Sequence, residues 1–361
     1  MQHIASSPDH ARASIVEERS ALDAPATSAW LARLPKAEVH VHLEGSVPAE
    51  EIGLEPPADE ETGVPRFDGL AGFLSYLDRS CALVTTGAQL ESIAYQLTRR
   101  AAAEAVGHVD VIFNPTHWPA WRDRLGEMVD RLDAGFAGGE ADCGVTTGLC
   151  MSLKRTQPAA ESRELLSWLL EARPPRVVAL SVDGNEVAAG RTAERFAPLF
   201  DAAREAGLHT CAHAGESSGP EGVRDALDAL GVERIDHGIR ALEDASLVAE
   251  LATRGVPLDV CPTSNVRLGV ARSIAAHPVE PLRRAGVRVS LNTDDPLLFG
   301  TSVAAEYATC AQAFGWDRAT AAQVARTSIE SSFAAPERRA ELLGALAHYL
   351  EGRSGDPEAS R

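Results

Sequence analysis

Two histidines one residue apart, His40 and His42, head a group of residues able to do chemistry together. In an extended strand, side chains two apart point to the same side, so both imidazoles can reach one metal ion. His213 lies in Cys211-Ala212-His213-Ala214-Gly215-Glu216, where the small Ala214 and Gly215 let the backbone turn tightly and leave the site open. Glu216, three residues on, is an acid/base candidate. Three histidines and one carboxylate oxygen make a zinc set with water completing the shell, and the ion lowers that water's pKa towards neutrality. The carboxylate is on offer in Asp294-Asp295. Adjacent residues at a strand end point in different directions, so one can bind metal while the other faces substrate. The competing use of this pair is to cap the helix that Pro296 opens. His237, in Arg234-Ile235-Asp236-His237-Gly238, is placed to hydrogen-bond the metal-activated hydroxide. Any one of these residues alone is more often structural than catalytic; the reading rests on their convergence.

Convergence requires elements that bring distant segments to one rim. β-rich stretches recur at 37–42, 108–113, 145–151, 177–182, 208–213, 234–237, 256–261 and 287–292. Helical patterns fill most intervals, as at 89–105, 161–171, 193–206 and 241–254. Strands alternating with helices imply a parallel sheet, and eight such units suggest an α/β fold of the closed (β/α)8 TIM-barrel type. In such barrels the active site lies at the C-terminal ends of the strands, where the residues above fall. Residues 43–107 are too many for one helix and contain Glu55-Pro56-Pro57, which predicts extra helices after the first strand, folded over the barrel mouth. Residues 302–350 read as two or three closing helices. The expected organisation is a flexible N-terminal extension over 1–30, one barrel domain over 31–351 and a flexible tail over 352–361.

The chain has 361 residues, 45% of them hydrophobic and 24% charged, so it can bury a large core. Its 34 basic and 52 acidic residues give a net charge of −18, which repels phosphate backbones and anionic lipid. Nucleic acid and membranes are therefore not the expected partners; oligomeric state is not readable. No apolar run reaches the length of a membrane span, and the N-terminus carries no apolar segment of the secretory kind. Six scattered cysteines without a CxxC pair read as reduced core residues of a cytoplasmic protein. His3, His10, His277 and His348 read as surface residues. Trp118 and Trp121 suit either a pocket wall or packing, with His117 a nearby supporting candidate. No phosphate-binding glycine loop is present.

The segment Leu34-Pro35-Lys36-Ala37-Glu38-Val39-His40-Val41-His42-Leu43-Glu44-Gly45 resembles the opening signature of the adenosine deaminase family. So do His213-Ala214-Gly215-Glu216, Asp236-His237-Gly238, Cys261-Pro262-Thr263-Ser264-Asn265 and Ser290-Leu291-Asn292-Thr293-Asp294-Asp295-Pro296. These run in family order through nearly the whole barrel. The resemblance implies one zinc ion per chain on His40, His42, His213 and Asp294. It implies that Glu216 gives a proton to purine N1 while hydroxide attacks C6, and that His237 orients and stabilises that hydroxide. Asp295 would help position the hydroxide and meet purine N7, and the Gly184 amide would meet N3. The substrate is then a small-molecule purine, converted to a 6-oxopurine with loss of ammonia. Apart from the family, the chemistry is coherent: an aromatic C6 is a poor electrophile until N1 is protonated, and burial among carboxylates keeps Glu216 protonated, although the zinc charge opposes that.

The first expectation is adenosine or a close derivative, with adenine or aminodeoxyfutalosine as alternatives. Glu44 stands where adenosine deaminases usually carry an Asp that contacts ribose, and Glu there is more usual in adenine deaminase-like members. Val111-Ile112-Phe113-Asn114-Pro115-Thr116 leans the same way. Thr293 and Gly184 look more like the nucleoside enzymes, and Phe299-Gly300-Thr301 resembles members acting on modified adenosines such as aminodeoxyfutalosine. A second alternative is another mononuclear metal hydrolase of the amidohydrolase class. The fourth strand, Val177-Val178-Ala179-Leu180-Ser181-Val182, offers no lysine for a bridged two-metal centre. A non-catalytic relative would lack a ligand or the acid, and neither is missing. The H-x-E and P-C-x-x-C zinc signature of cytidine deaminases is absent.

Overall fold

The computed structural model describes residues 22–59, 65–191 and 193–352. Eight strands form one parallel sheet in sequential order: β1 (Lys36–His42), β2 (Val106–Phe113), β3 (Thr146–Lys154), β4 (Val177–Asp183), β5 (His209–Ala214), β6 (Arg234–His237), β7 (Leu258–Val260) and β8 (Val289–Leu291). The expected eight strands are all present; β7 and β8 are shorter than their apolar runs suggest. The sheet curls into a nearly closed barrel. The seam between β8 and β1 is made by a parallel bridge from Val41 to Asp294. There His42 N donates to Asp294 O at 2.7 Å, and Val39 N donates to the Asn292 side-chain oxygen at 2.8 Å. A side chain thus completes the ladder where β8 is too short to do so.

Helices cover the outside because each buries one apolar stripe against the sheet. The helix Gly87–Ala103 opens with a capping box, Thr86 and Gln89 exchanging bonds, and packs on Leu125–Cys143. Their close approach needs Gly135, since a Cβ there would strike the Glu91 carbonyl. The long first interval holds, besides Gly87–Ala103, the short helix Ala49–Ile52 and the helix Gly69–Ala82. That helix supplies Leu70, Phe73, Leu74 and Leu77 to the cavity at the barrel mouth, and Phe73 stacks on Phe299 with 5.0 Å between ring centroids. Three closing helices follow, Val303–Phe314, Arg318–Ser331 and Pro336–Leu350.

The described chain is packed on the barrel from before residue 30. Pro25 bridges Asp317, and Trp30 is buried in helix Ser28–Arg33 beside Tyr349. The boundary expected at residue 30 therefore falls inside that helix: an apolar Trp in an otherwise polar stretch finds a partner only in the closing helix. The expected extension up to residue 21 and the tail from 353 lie outside the described residues. All six cysteines are unpaired, and Cys143 alone is half-exposed. No helix among the described residues is long and apolar enough to cross a membrane.

The barrel interior is not filled by aliphatic side chains alone. Arg234 is fully buried there. Its guanidinium pairs with Asp110 at 2.6 Å and Asp259 at 2.9 Å, donates to Val39 O at 2.8 Å, and lies over the Phe333 ring. Burying such a charge is tolerable because two carboxylates, a carbonyl and an aromatic face surround it.

Candidate active site

His42, His213, His237, Glu216, Asp294 and Asp295 line one small cavity at the C-terminal rim of the barrel, and the fully buried His40 meets it through Asp294. His40 Nε2 is 3.3 Å and His42 Nε2 is 3.4 Å from the same oxygen, Asp294 Oδ1. His42 Nε2 is 3.1 Å from His213 Nε2. Ligands at about 2.0–2.1 Å from a tetrahedral cation stand about 3.3 Å apart, which these separations match. His40, His213, His237 and Asp294 can also be grouped, with ligand atoms within 4.8 Å of one another. His237 is the outlier of that second group. Its Nε2 is 3.9 Å from the other oxygen, Asp294 Oδ2, which already accepts the Ser264 hydroxyl at 2.6 Å. The geometry therefore favours His42 over His237 as a ligand.

The donor chemistry fits a cation too. His40 Nδ1 lies 3.2 Å from the Asp259 carbonyl, which can only accept, so its proton is there and the lone pair of Nε2 is free. That Nε2 is buried without a hydrogen bond. His213 Nδ1 lies 3.2 Å from Asp236 Oδ2, which likewise turns Nε2 inward. Burial works against charge on His40, yet Asp294, Asp236 and Asp259 raise its pKa to about 9, so the local field favours a positive charge at this point. Burial pushes His42 down to about 3, leaving a neutral, ligating imidazole.

Two of the site's backbones are strained. His237 and Asp294 have φ of +66° and +65°, a left-handed conformation that non-glycine residues adopt at a cost of about 1–3 kcal/mol. Packing on every side holds them there, and each strand ends by turning its side chain into the cavity. Asp295 sits at the N-cap position of helix Pro296–Phe299 but its side chain makes no capping bond. It faces Gly45 instead, so closely that a Cβ on Gly45 would collide with its carboxylate. The capping use of the pair is thus not the one adopted. Burial, with Asp294, Glu44 and Glu216 nearby, raises the Asp295 pKa well above the ordinary carboxylate range. Burial works in the same direction on Asp294, but His40 and its neighbours hold it well below.

Glu216 is buried, and burial together with Asp294 and Glu186 raises it to about 8. Its loop is held by Glu186, which sequence reasoning missed. The Glu186 carboxylate accepts the backbone N–H of Gly215, Glu216, Ser217 and Ser218 at 3.0–3.1 Å, and the Ser218 hydroxyl at 2.6 Å. Gly184 lines the cavity with φ +94°, which only glycine adopts easily. Glu44 Oε1 accepts from Trp118 Nε1 at 2.7 Å and from Asn114 N at 2.8 Å, so Trp118 packs and positions; Trp121 donates to Val84 O and packs. Glu44 Oε2 is buried, has no hydrogen bond, and lies 3.9 Å from His42 Nδ1. His117 also lines the cavity, 2.5 Å from Asp78. His277 is not a surface residue: it is buried, because its ring is bonded on both sides. Ser264, Asn265 and Gly45 lie in segments that resemble the family's motifs, but their roles depend on contacts across the barrel.

An adenine deaminase from Rhodospirillum rubrum is 35% identical over 88% of this chain and 98% of its own. An aminodeoxyfutalosine deaminase from Streptomyces coelicolor is 32% identical over 89% of this chain and 86% of its own. The crystal structure of an amidohydrolase from Burkholderia ambifaria with bound zinc superposes with a TM-score of 0.81, at 26% identity over 94% of this chain and 99% of that one. The family model described as adenosine deaminase matches residues 35–349. With eight strands, their rim of histidines and carboxylates and that match in agreement, the chain belongs to the adenosine deaminase family, a family of metal-dependent aminohydrolases that act on C–N bonds.

Proposed function

We propose that the protein is a deaminase of 6-aminopurines and that its substrate is adenine, hydrolysed to hypoxanthine and ammonia. The supporting observation is Glu44 Oε2, an unpaired buried carboxylate oxygen beside His42 in the cavity. The N9–H of a free base is a donor that this oxygen can accept; a nucleoside has no hydrogen there. Leu70, Phe73, Leu74, Leu77 and Leu268 make much of the remaining wall apolar, and such a wall offers no hydrogen bonds to the hydroxyls of a sugar. The Rhodospirillum rubrum relative supports the same choice. Adenine thus replaces adenosine as the first reading.

His40, His42, His213 and Asp294 would hold one zinc ion, the metal that an imidazole-rich tetrahedral set suits. When bound, zinc makes a water-derived nucleophile available at neutral pH. Glu216, which burial and the carboxylates of Asp294 and Glu186 favour in its protonated form, gives its proton to N1 and makes C6 electrophilic. His237 hydrogen-bonds the attacking oxygen. Asp295, held protonated, donates to N7, and the Gly184 amide donates to N3. Water adds at C6, the C6–N bond breaks, and the amino group leaves as ammonia. The unpaired cysteines accord with a reducing, cytoplasmic setting.

The Streptomyces coelicolor relative and the Phe299-Gly300-Thr301 segment favour aminodeoxyfutalosine as the second reading. Ammonia release with metal analysis decides between them, using adenine, adenosine, 2′-deoxyadenosine and aminodeoxyfutalosine. Adenine turnover with one zinc per chain is expected. Turnover of a nucleoside with adenine inert would replace adenine, and inertness to all four would move the site to another mononuclear hydrolase chemistry.

A further inference from the structure

We infer that Asn265 and His277 are positioning residues that fix the ring proton of His237 on Nε2. A backbone N–H can only donate. The backbone N–H of Val279 donates to His277 Nδ1 at 3.1 Å, so that nitrogen carries a lone pair. His277 is buried, and burial lowers its pKa to about 4, so the ring is neutral and its one proton is on Nε2. His277 Nε2 lies 3.1 Å from Asn265 Oδ1, which therefore accepts. The amide can be oriented only one way: its oxygen meets His277 and its Nδ2 turns to His237. Asn265 Nδ2 is 3.4 Å from His237 Nδ1 and donates to it. His237 Nδ1 is then an acceptor and Nε2 carries the hydrogen.

That hydrogen points into the site. His237 Nε2 is 3.7 Å from Glu216 Oε1 and 3.9 Å from Asp294 Oδ2. His237 thus enters the reaction as a neutral N–H donor to the attacking oxygen. It cannot take a proton at Nε2, because that position is filled. The chain also explains two features that the reaction itself leaves unused. One is the Asn that ends Cys261-Pro262-Thr263-Ser264-Asn265; the other is a histidine buried behind the site. Polar side chains are buried in this way where their bonds orient something else. The inference rests on the deaminase reading for what His237 does, but the placement of the proton stands on the hydrogen bonds and on the buried, neutral His277 ring.

The test separates the two. Nitrogen NMR of the metal-loaded enzyme with 15N-labelled histidine reads the tautomer without any substrate. The expected spectrum has His237 protonated on Nε2 and His277 protonated on Nε2. A His237 proton on Nδ1 overturns the inference whether or not adenine is turned over. Asn265→Asp replaces the donor by an acceptor and should move the His237 proton to Nδ1. Loss of kcat on the order of 10²–10⁴ is expected, as for other histidines forced into the wrong tautomer, with KM and metal content unchanged. His277→Gln keeps a donor near Nε2 and should retain kcat within about threefold, whereas His277→Phe should lose about tenfold or more. Unchanged kcat in Asn265→Asp, or equal losses in His277→Gln and His277→Phe, would overturn the relay.

Discussion

Replacing Glu186 by alanine removes the acceptor that gathers the loop carrying Glu216. Four backbone N–H groups and one hydroxyl lose their partner. Ser217 and Ser218 are half-exposed and can turn to water, but Gly215 and Glu216 are buried. An unpaired buried donor costs about 1–3 kcal/mol, so the two together cost about 2–6 kcal/mol. The lower end applies, because Glu186 also lines an adjoining open cavity from which water can enter. The catalytic effect is larger than the loss of stability suggests. A displacement of about 1 Å at Glu216 lowers kcat about 10²-fold. Glutamine at 186 is expected to be milder. With its NH2 in place of Oε1 it forfeits the Gly215 bond, while the Ser218 hydroxyl rotates to accept and the bonds to the other oxygen persist. The expected order of kcat is wild type, Glu186→Gln, Glu186→Ala, at constant metal content, since Glu186 touches no imidazole of the cluster. Steady-state ammonia release, thermal unfolding and metal analysis on the same preparations measure all three. If Glu186→Ala kept its kcat within twofold, or lost metal in step with activity, the loop argument would be refuted.

Glu216→Gln should keep the metal and lose kcat by about 10²–10⁴, read by ammonia release and metal analysis. In the wild type, burial and neighbouring carboxylates raise this acid to about 8 before the metal's charge acts, and activity needs its protonated form, so kcat should fall as pH rises. A bound cation moves that limb to lower pH, and the glutamine variant should not show it. Gly45→Ala drives a methyl into the Asp295 carboxylate and should lower kcat/KM at least tenfold with little change in the unfolding midpoint. Arg234→Leu strands Asp110 and Asp259 without their cation and should destabilise the fold by about 3–5 kcal/mol, measured by urea unfolding.

The strands and the identities of the inward-facing residues were legible because both have local causes. A strand has a period of two, so His40-Val41-His42 announces two imidazoles on one side wherever the strand lies. Apolar runs separated by Leu-, Ala- and Glu-rich helical patterns announce a parallel barrel. The shortness of β7 and β8 was not legible, since an apolar run does not say where its ladder partner ends. The surface reading of His277 failed for a related reason: a polar residue in a loop gives no sign that an Asn twelve positions earlier waits to accept its proton.

The amino-acid sequence by itself determined that four strand ends would deliver histidines and carboxylates to one rim, and that the chain carries the set a metal-dependent deaminase needs. Only the tertiary structure decided which oxygen of Asp294 meets His40 and His42, that Asp295 rests against Gly45, that Glu186 holds the Glu216 loop, and that Glu44 keeps one oxygen unpaired in a small cavity. The difference is physical. Side-chain direction along a strand follows from backbone geometry one residue at a time, whereas hydrogen bonds and close contacts across a barrel join residues whose spacing in the chain has no period, and their geometry exists only once the barrel has closed.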